Sequence, residues 1–229
     1  MEQIELLRKT MIQSNIAVSE EMVGQFSRYR QLLILWNQKI NLISRNDESR
    51  IVSKHFLESL GLVKVVLFPQ GTTVLDLGTG AGFPGVPLKI IRPDIHMVLV
   101  ESKKKKILFL KKLVEELGLT GVEVIPGRIE EIGNTIKPVH FVVTRSVANL
   151  IQLVKWSKDC MRPQGGVLIA IKGPAVEEEL NRLDDHSADL GVTGWCLEKY
   201  DPFSSTMRLK EMFVASIQMC KSKKPTFKP

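Results

Sequence analysis

The chain contains little of what disulfide-bonded, membrane-spanning or metal-binding proteins depend on. Only three cysteines occur in 229 residues, and Cys160, Cys196 and Cys220 are far apart and odd in number. They form neither a CxxC metal pair nor a disulfide framework, so a reducing compartment is expected. No segment reaches the roughly 20 apolar residues of a transmembrane helix, and the acidic, polar first residues lack the apolar core of a signal peptide. These absences predict a soluble, cytoplasmic protein without a metal site.

Several catalytic signatures are also missing, and each absence excludes a class of reaction. The glycine-rich segment does not end in Gly-Lys-Ser/Thr, so it is not a phosphate-binding P-loop. The chain has no Asn/Asp-Pro-Pro-Tyr for methylating amino groups and no Pro-Cys nucleophile for methylating cytosine C5. It also has no CxxxCxxC motif for radical chemistry.

The residues that are present favour one α/β domain with a modest extension and a polyanionic partner. Apolar residues make up 44% of the chain, enough for a full core. Lysine and arginine number 32 against 25 acidic residues, a net charge of +7. A basic surface attracts nucleic-acid phosphates. Because many basic proteins never bind nucleic acid, the charge alone leaves the partner open.

Residues 1–68 are predicted to form a helical extension packed on the core. Ser19 is expected to cap a long helix whose apolar residues recur every three or four positions and which ends at residues 45–47. A shorter amphipathic helix through His55 is expected to follow. The apolar positions of the long helix are Met22, Phe26, Tyr29, Leu33, Trp36, Ile40 and Ile43.

Residues 69–220 alternate short apolar runs with helical segments, which predicts βαβ units and a doubly wound, Rossmann-like α/β fold with a parallel sheet. Runs near 195–197 and 212–217 are candidates for edge strands. Residues 221–229 form a basic tail that is expected to be mobile. The five buried strands are predicted at 74–77, 97–100, 122–125, 141–143 and 167–171.

The most informative segment is the glycine-rich stretch after the first predicted strand. It lies at the carboxyl edge of the sheet, where open α/β folds bind ligands. Gly78, Gly80 and Gly82 lack a Cβ atom, so the backbone can adopt positive φ and approach a ligand closely. We expect all three glycines to contact a cofactor.

Two cofactors compete for this loop. Residues 80–85 satisfy the dinucleotide pattern GxGxxG, but the match begins several residues beyond the strand. Asp76 places a carboxylate near the strand end, where it would repel a diphosphate. S-adenosylmethionine carries an ammonium and a sulfonium group, which a carboxylate attracts. The pattern therefore favours a class I S-adenosylmethionine-dependent methyltransferase over a nicotinamide-dependent oxidoreductase.

The second strand ends at Glu101, about 20 residues past the loop, as expected for the acid that binds ribose hydroxyls in a βαβ unit. The alternative is a surface glutamate that caps the next helix. Ser102 is expected to cap that helix, which opens with four lysines. Cations oppose the dipole at a helix N-terminus. Lys103, Lys104 and Lys105 are therefore candidates for RNA-phosphate contacts, with a solvated face as the alternative.

Separated motifs give the chain a resemblance to the RsmG (GidB) family of bacterial 16S rRNA guanine-N7 methyltransferases. The resemblance implies methyl transfer from S-adenosylmethionine to N7 of guanine 527 in the decoding region. It also implies 16S rRNA or an assembling small subunit as partner, and a monomer is expected. The motifs comprise Trp36-Asn37 with Asn41-Leu42, His55 with Glu58-Ser59-Leu60, residues 76–87, Glu101-Ser102 with the lysines and Phe109-Leu110, Arg145 with Ala148, and Lys172-Gly173.

The resemblance also assigns roles to individual residues. Gly78 and Phe83 would contact the cofactor, Glu101 or Ser102 would bind its ribose, and Ile129 and Glu130 would flank its adenine. Arg145 would lie where cofactor and substrate meet. Arg145 and Lys172 both follow strands at the ligand edge, so both are RNA-binding candidates as well.

This sequence departs from the family pattern at three positions and in its tail. Glu58 replaces a usual Asp, Ile129 a usual Ala and His140 a usual Asp, and the long basic tail of many relatives is missing. The roles of His55, Asn37 and Asn41 stay open between fixing the core or a helix end and contacting RNA.

Guanine N7 carries a free lone pair, so its methylation needs no general base. Placement of the two reactants should supply most of the rate, and Arg145 is the expected positioning residue. Because side chains cannot read the major groove of A-form RNA, the target base must be unpaired or exposed.

Overall fold

A computed structural model describes residues 2–200, 203 and 212–220. The predicted basic tail, residues 221–229, lies outside the described residues. The strands are β1 Thr73–Leu77, β2 His96–Glu101, β3 Val122–Pro126, β4 Phe141–Arg145, β5 Gly166–Lys172, β6 Val192–Lys199 and β7 Phe213–Met219. The α-helices are α1 Glu2–Gln13, α2 Glu20–Asn37, α3 Glu58–Leu60, α4 Leu62–Val65, α5 Gly85–Ile91, α6 Lys104–Glu116, α7 Ile129–Ile132, α8 Leu150–Lys158, α9 Val176–Asp184 and α10 Ser187–Leu190.

The seven strands form one sheet in the order β3-β2-β1-β4-β5-β7-β6. Strands β1 to β5 are parallel, which confirms the predicted βαβ units and the positions of all five predicted strands. The prediction that all five are buried is wrong for β3, which lies at the edge of the sheet and has no buried residue. β7 runs antiparallel between β5 and β6. The prediction of two edge strands is therefore right for β6 and wrong for β7. Both neighbours of β7 are hydrogen-bonded to it, and the sequence pattern does not show this pairing.

Helices cover both faces of the sheet, and two separate cores result. Along β1, Val74 packs into the core beneath the N-terminal helices, α5 and α6. Leu75 and Leu77 pack into the core beneath α8 and α9. This alternation follows from the two-residue period of a strand. The carboxyl ends of β1, β2 and β4 are left together at one edge, where the site is built.

Helix α2 begins as predicted but ends earlier. The Ser19 hydroxyl accepts from the Met22 amide at 3.1 Å, which confirms the cap. The helix stops at Asn37, whose Oδ1 accepts from the amides of Leu42 at 2.9 Å and Ile43 at 3.0 Å. A helix running to residues 45–47 was therefore the wrong prediction, because the Asn37 side chain takes over backbone donors that helical carbonyls would have bound.

A 3₁₀ helix, Arg45–Arg50, and a π-helical segment, Ile51–Leu57, follow this turn. They carry the predicted His55 region across the carboxyl edge of the sheet. Phe26 of α2 and Phe56 of the π-helical segment share one buried core with Leu99 of β2. A domain boundary at residue 68 stays a prediction, since the extension and the sheet share this core. Within the described chain, no helix is long and apolar enough to cross a membrane.

Candidate active site

The glycine loop after β1 adopts the conformation that its sequence predicts. The φ angles of Gly78, Gly80 and Gly82 are +68°, +61° and +101°. A Cβ atom on Gly82 would lie 2.6 Å from the Tyr29 hydroxyl, and one on Gly78 would lie 2.9 Å from a methyl group of Val147. Both the backbone angle and the surrounding space therefore require glycine at these two positions.

Two buried side chains hold this loop from below. Asp76 Oδ2 accepts from the Thr79 hydroxyl at 2.6 Å and from the Gly85 amide at 2.7 Å. Tyr29 donates its hydroxyl to the Ala81 carbonyl at 2.6 Å. Burial raises the pKa of Asp76 to about 7, against the opposing effect of its two hydrogen bonds. Asp76 is fully buried beneath the loop. Its expected contact with the cofactor stays a prediction.

The Glu101 carboxylate joins the loop to the start of α6. Its Oε2 accepts from the Gly80 amide at 3.1 Å, and its Oε1 accepts from the amides of Ser102 and Lys103, both at 2.8 Å. The helix starts at Lys104 after Lys103, with no side-chain cap. The predicted Ser102 cap is therefore wrong, because Glu101 binds these amides instead. Each carboxylate oxygen has two lone pairs, so Oε2 can still accept from a ribose hydroxyl.

A cleft of about 990 Å³ lies between the glycine loop and the N-terminal segment. This volume is at the upper end of the range for small-molecule sites, about 300–1,000 Å³. Residues from the loop, from the segment before β1 and from the ends of β4 and β5 therefore face one cavity. The lining includes Asp47, Arg50, Lys54, His55, Glu58, Gly78, Thr79, Gly80, Ala81, Phe83, Arg145, Ser146 and Lys172.

Arg145, at the end of β4, is the centre of a buried polar cluster in this cleft. Its guanidinium donates to Glu58 Oε2 at 3.0 Å and to the Lys54 carbonyl at 3.2 Å, and it lies 2.9 Å from His55 Nδ1. It also lies 5.1 Å from the centre of the Phe83 ring. Burial raises the pKa of Glu58, and the charge of Arg145 opposes that rise. Arg145 is thus held at the cleft wall by three protein partners.

His55 and Asp47 complete the polar side of the cleft. The His55 ring stacks on Phe83, with centroids 4.9 Å apart and planes at 17°. Burial, followed by the nearby charge of Arg145, lowers the pKa of His55 to about 3, so the imidazole is neutral. Asp47 accepts from Lys54 at 2.7 Å and from Arg50 at 3.0 Å. Burial would raise the pKa of Asp47, but these basic partners lower it overall.

The other predicted site residues lie outside this cluster. Ile129 is buried and Glu130 exposed at the start of α7, and neither lines the cleft. Lys172 is at the cleft, but its ammonium is engaged by Glu179 at 2.7 Å and its side chain is only 11% exposed. Lys103–Lys105 are exposed at the start of α6. The structure thus brings the glycine loop, Phe83 and Arg145 together, and it shows the α6 lysines as the accessible basic group among the predicted RNA-binding residues.

Several residues of the site were not singled out for it from the sequence. Thr79 lies inside the loop motif, but its role depends on Asp76 beneath it. Tyr29 was placed only on the apolar face of α2, and Asp47 only in a turn. No sequence signal pairs Tyr29 with the Ala81 carbonyl 52 positions away. The partners of Thr79 and Asp47 are near in sequence, but only the fold shows that these groups lie at the site. His140, one of the family departures, accepts from the Thr73 amide at 3.1 Å.

Comparison with known proteins agrees with this geometry. Residues 22–197 match the family model for rRNA small subunit methyltransferase G. The chain belongs to this family. A relative from Pelotomaculum thermopropionicum, ribosomal RNA small subunit methyltransferase G, is 40% identical over 194 residues, covering 82% of this chain and 79% of the relative.

Solved structures support the fold. A SAM-dependent methyltransferase from Aquifex aeolicus superposes with a TM-score of 0.56 at 19% identity, over 77% of this chain and 99% of the other. TYW2 from M. jannaschii in complex with AdoMet gives a TM-score of 0.55 at 13% identity, over 77% and 81%. The fold is therefore that of the class I methyltransferases, and the cofactor of this methyltransferase is S-adenosylmethionine.

Proposed function

We propose that this protein transfers the methyl group of S-adenosylmethionine to N7 of a guanine in 16S rRNA, with guanine 527 as the target. The family match and the names of its relatives support rRNA of the small subunit as the substrate. The choice of N7 is supported by the chemistry of the cleft.

The observation that carries this choice is that the cleft has acids and an imidazole but keeps them occupied. Glu58 is paired with Arg145, and Asp47 is paired with Lys54 and Arg50. The Nδ1 atom of His55 is held by Arg145. Amino and hydroxyl groups must lose a proton during methylation, but guanine N7 does not. A cleft whose described acids are paired, and whose imidazole lone pair on His55 Nδ1 is held by Arg145, offers no free base and suits a nucleophile that needs only to be positioned.

The cofactor supplies an electrophilic methyl group on its sulfonium, and this chain's residues bind and orient the two reactants. In this proposal the backbone of Gly78–Gly82 lies along the cofactor, and Glu101 Oε2 accepts from the ribose. Phe83 and Arg145 line the side on which the target base enters. Lys103–Lys105 hold the RNA backbone outside the cleft, because exposed lysines bind phosphates without regard to sequence.

The proposal is tested by mapping N7-methylguanine in 16S rRNA from cells that lack this protein. N7-methylguanine is expected to disappear at one guanine in the decoding region and to return when the wild-type chain is supplied. An unchanged pattern of N7 methylation would contradict the proposal. Loss of a different methylated nucleotide would retain rRNA methylation and overturn N7 as the target atom.

A further inference from the structure

One ring nitrogen of His55 has no partner. The Nε2 atom is shielded from solvent and finds no hydrogen bond among the described residues. The Asp47 carboxylate lies 3.8 Å away, which is too far for a hydrogen bond. That carboxylate already accepts from Lys54 and Arg50. A buried polar atom left unpaired is costly, so its presence in a cleft suggests a ligand that completes it.

The contact with Arg145 fixes which proton the imidazole carries. A guanidinium can only donate, and it lies 2.9 Å from His55 Nδ1. Nδ1 must therefore accept, and the neutral ring carries its proton on Nε2. Burial and the positive charge of Arg145 keep the pKa of His55 low, at about 3. His55 thus presents a neutral donor with a fixed tautomer.

The position of this donor connects it to the reaction. The His55 ring is stacked on Phe83, which directly continues the glycine loop. His55, Phe83 and loop residues Gly78–Ala81 line the same cleft. A base that enters the cleft to reach the methyl group therefore passes beside His55.

We infer that His55 determines base specificity: entry of the target guanine uncovers the shielded Nε2 hydrogen, which is then donated to the 6-carbonyl oxygen of the base. This inference rests on the proposed function. Adenine has the same N7 acceptor, but at position 6 it carries an amino group, which is a donor. A fixed donor therefore accepts guanine and rejects adenine. The donor is also neutral, so it does not repel the positive charge that N7 methylation leaves on the base.

The inference is tested with small subunits reconstituted from 16S rRNA that carries guanine or 2-aminopurine at the mapped target. 2-Aminopurine keeps N7 and the 2-amino group but lacks the 6-oxygen. Wild-type protein and His55→Phe are compared by kcat/KM, and His55→Phe keeps a planar ring against Phe83. Either change alone is expected to reduce kcat/KM by about tenfold or more. The two changes together are expected to add little further loss, because both remove the same hydrogen bond.

Equal losses for His55→Phe on the two bases would overturn the inference, since they indicate a structural role. So would an undiminished rate on guanine. Folding is checked by the affinity for S-adenosylhomocysteine. If His55→Phe does not bind S-adenosylhomocysteine, His55→Asn is used in its place. The asparagine amide oxygen can still accept from Arg145, and no donor remains at the position of Nε2. Equal losses on the two bases would again overturn the inference.

The failure of this inference is distinguishable from that of the proposed function. Wild-type protein that transfers no methyl group to guanine-containing subunits would contradict the proposed function itself. Normal transfer to guanine combined with independent effects of the enzyme and base changes would overturn only the role of His55.

Discussion

Removing Arg145 is expected to destabilise the fold in a way that depends on pH. Arg145→Ala leaves the Glu58 carboxylate without its 3.0 Å partner, and the wild-type side chains are only 13% and 11% exposed. Breaking a buried ion pair by removing one partner costs about 3 to 5 kcal/mol. The residual exposure argues for the lower end, about 3 kcal/mol. With a urea slope of about 2–3 kcal/mol/M, the unfolding midpoint should fall by about 1 M.

The sign of the pH dependence follows from Glu58. Burial raises its pKa above the usual 4.5 even in the presence of Arg145, and loss of that cation raises it further. A carboxyl whose folded pKa lies above its unfolded pKa loses its contribution to stability as the pH rises through the folded value. The deficit of Arg145→Ala relative to wild type should therefore be smallest at pH 5 and largest at pH 8.

Urea denaturation at pH 5, 6, 7 and 8, followed by circular dichroism, measures this deficit. Glu58→Gln is the matched control, because the amide fills the same space without a charge. In the Arg145→Ala background it should recover more than half of the lost stability and remove the pH dependence. A deficit that is equal at pH 5 and pH 8, or a double variant whose losses simply add, would refute the buried-pair argument.

Three further predictions concern the loop and the α6 lysines. Gly82→Ala should reduce S-adenosylhomocysteine affinity, measured by calorimetry, at least about tenfold, because φ is +101° and the new Cβ would lie 2.6 Å from Tyr29. Gly24→Ala, in open space on α2, is the control: it should stabilise the fold by up to about 1 kcal/mol and leave the S-adenosylhomocysteine affinity unchanged. Equal losses of affinity in the two variants would contradict the loop geometry. Asp76→Asn should gain stability relative to wild type as the pH rises from about 4 to about 7, by about 1.4 kcal/mol for each pH unit, and should gain no more above pH 7. Burial raises the pKa of the wild-type carboxyl from 3.8 to about 7, so in this range the folded wild type holds a proton that the unfolded chain has already lost. Melting temperatures from about pH 4.5 to 8.5 measure this gain, and a difference that stays constant below pH 7 would refute it. Changing Lys103, Lys104 and Lys105 to Ala should lower the salt slope of RNA binding by about 2, at about 0.7 for each single-strand phosphate contact. The triple change should leave cofactor affinity unaltered. Lys155→Ala, which changes one exposed lysine on α8, is the comparison. If the triple variant has the same salt slope as Lys155→Ala, Lys103, Lys104 and Lys105 do not contact the RNA.

The sequence predicts most of the scaffold because its signals are local. Buried strands are short apolar runs, and the positive φ angles of Gly78, Gly80 and Gly82 follow from the glycines themselves. The early end of α2 was missed because Ile40 and Ile43 continue the apolar spacing past the helix. Only the structure shows that the Asn37 side chain accepts from the backbone amides of Leu42 and Ile43 and so ends the helix.

The polar cluster of the cleft lay beyond prediction for a different reason. Arg145 meets Glu58 and His55 across about ninety residues of chain. Such contacts depend on how the segment before β1 crosses the carboxyl edge of the sheet, and no spacing rule encodes that crossing. Arg145 was identified from its place after a strand, but its partners and the tautomer of His55 emerge only from the fold.

The most direct test of the account is methyl transfer in vitro. The protein is incubated with methyl-labelled S-adenosylmethionine and with small subunits from cells that lack it, and the labelled nucleoside is then identified after digestion of the rRNA. The account predicts label in N7-methylguanosine from a single position and none with subunits from wild-type cells. Label in another nucleoside or in ribosomal protein, or no label in any of these substrates, would contradict it.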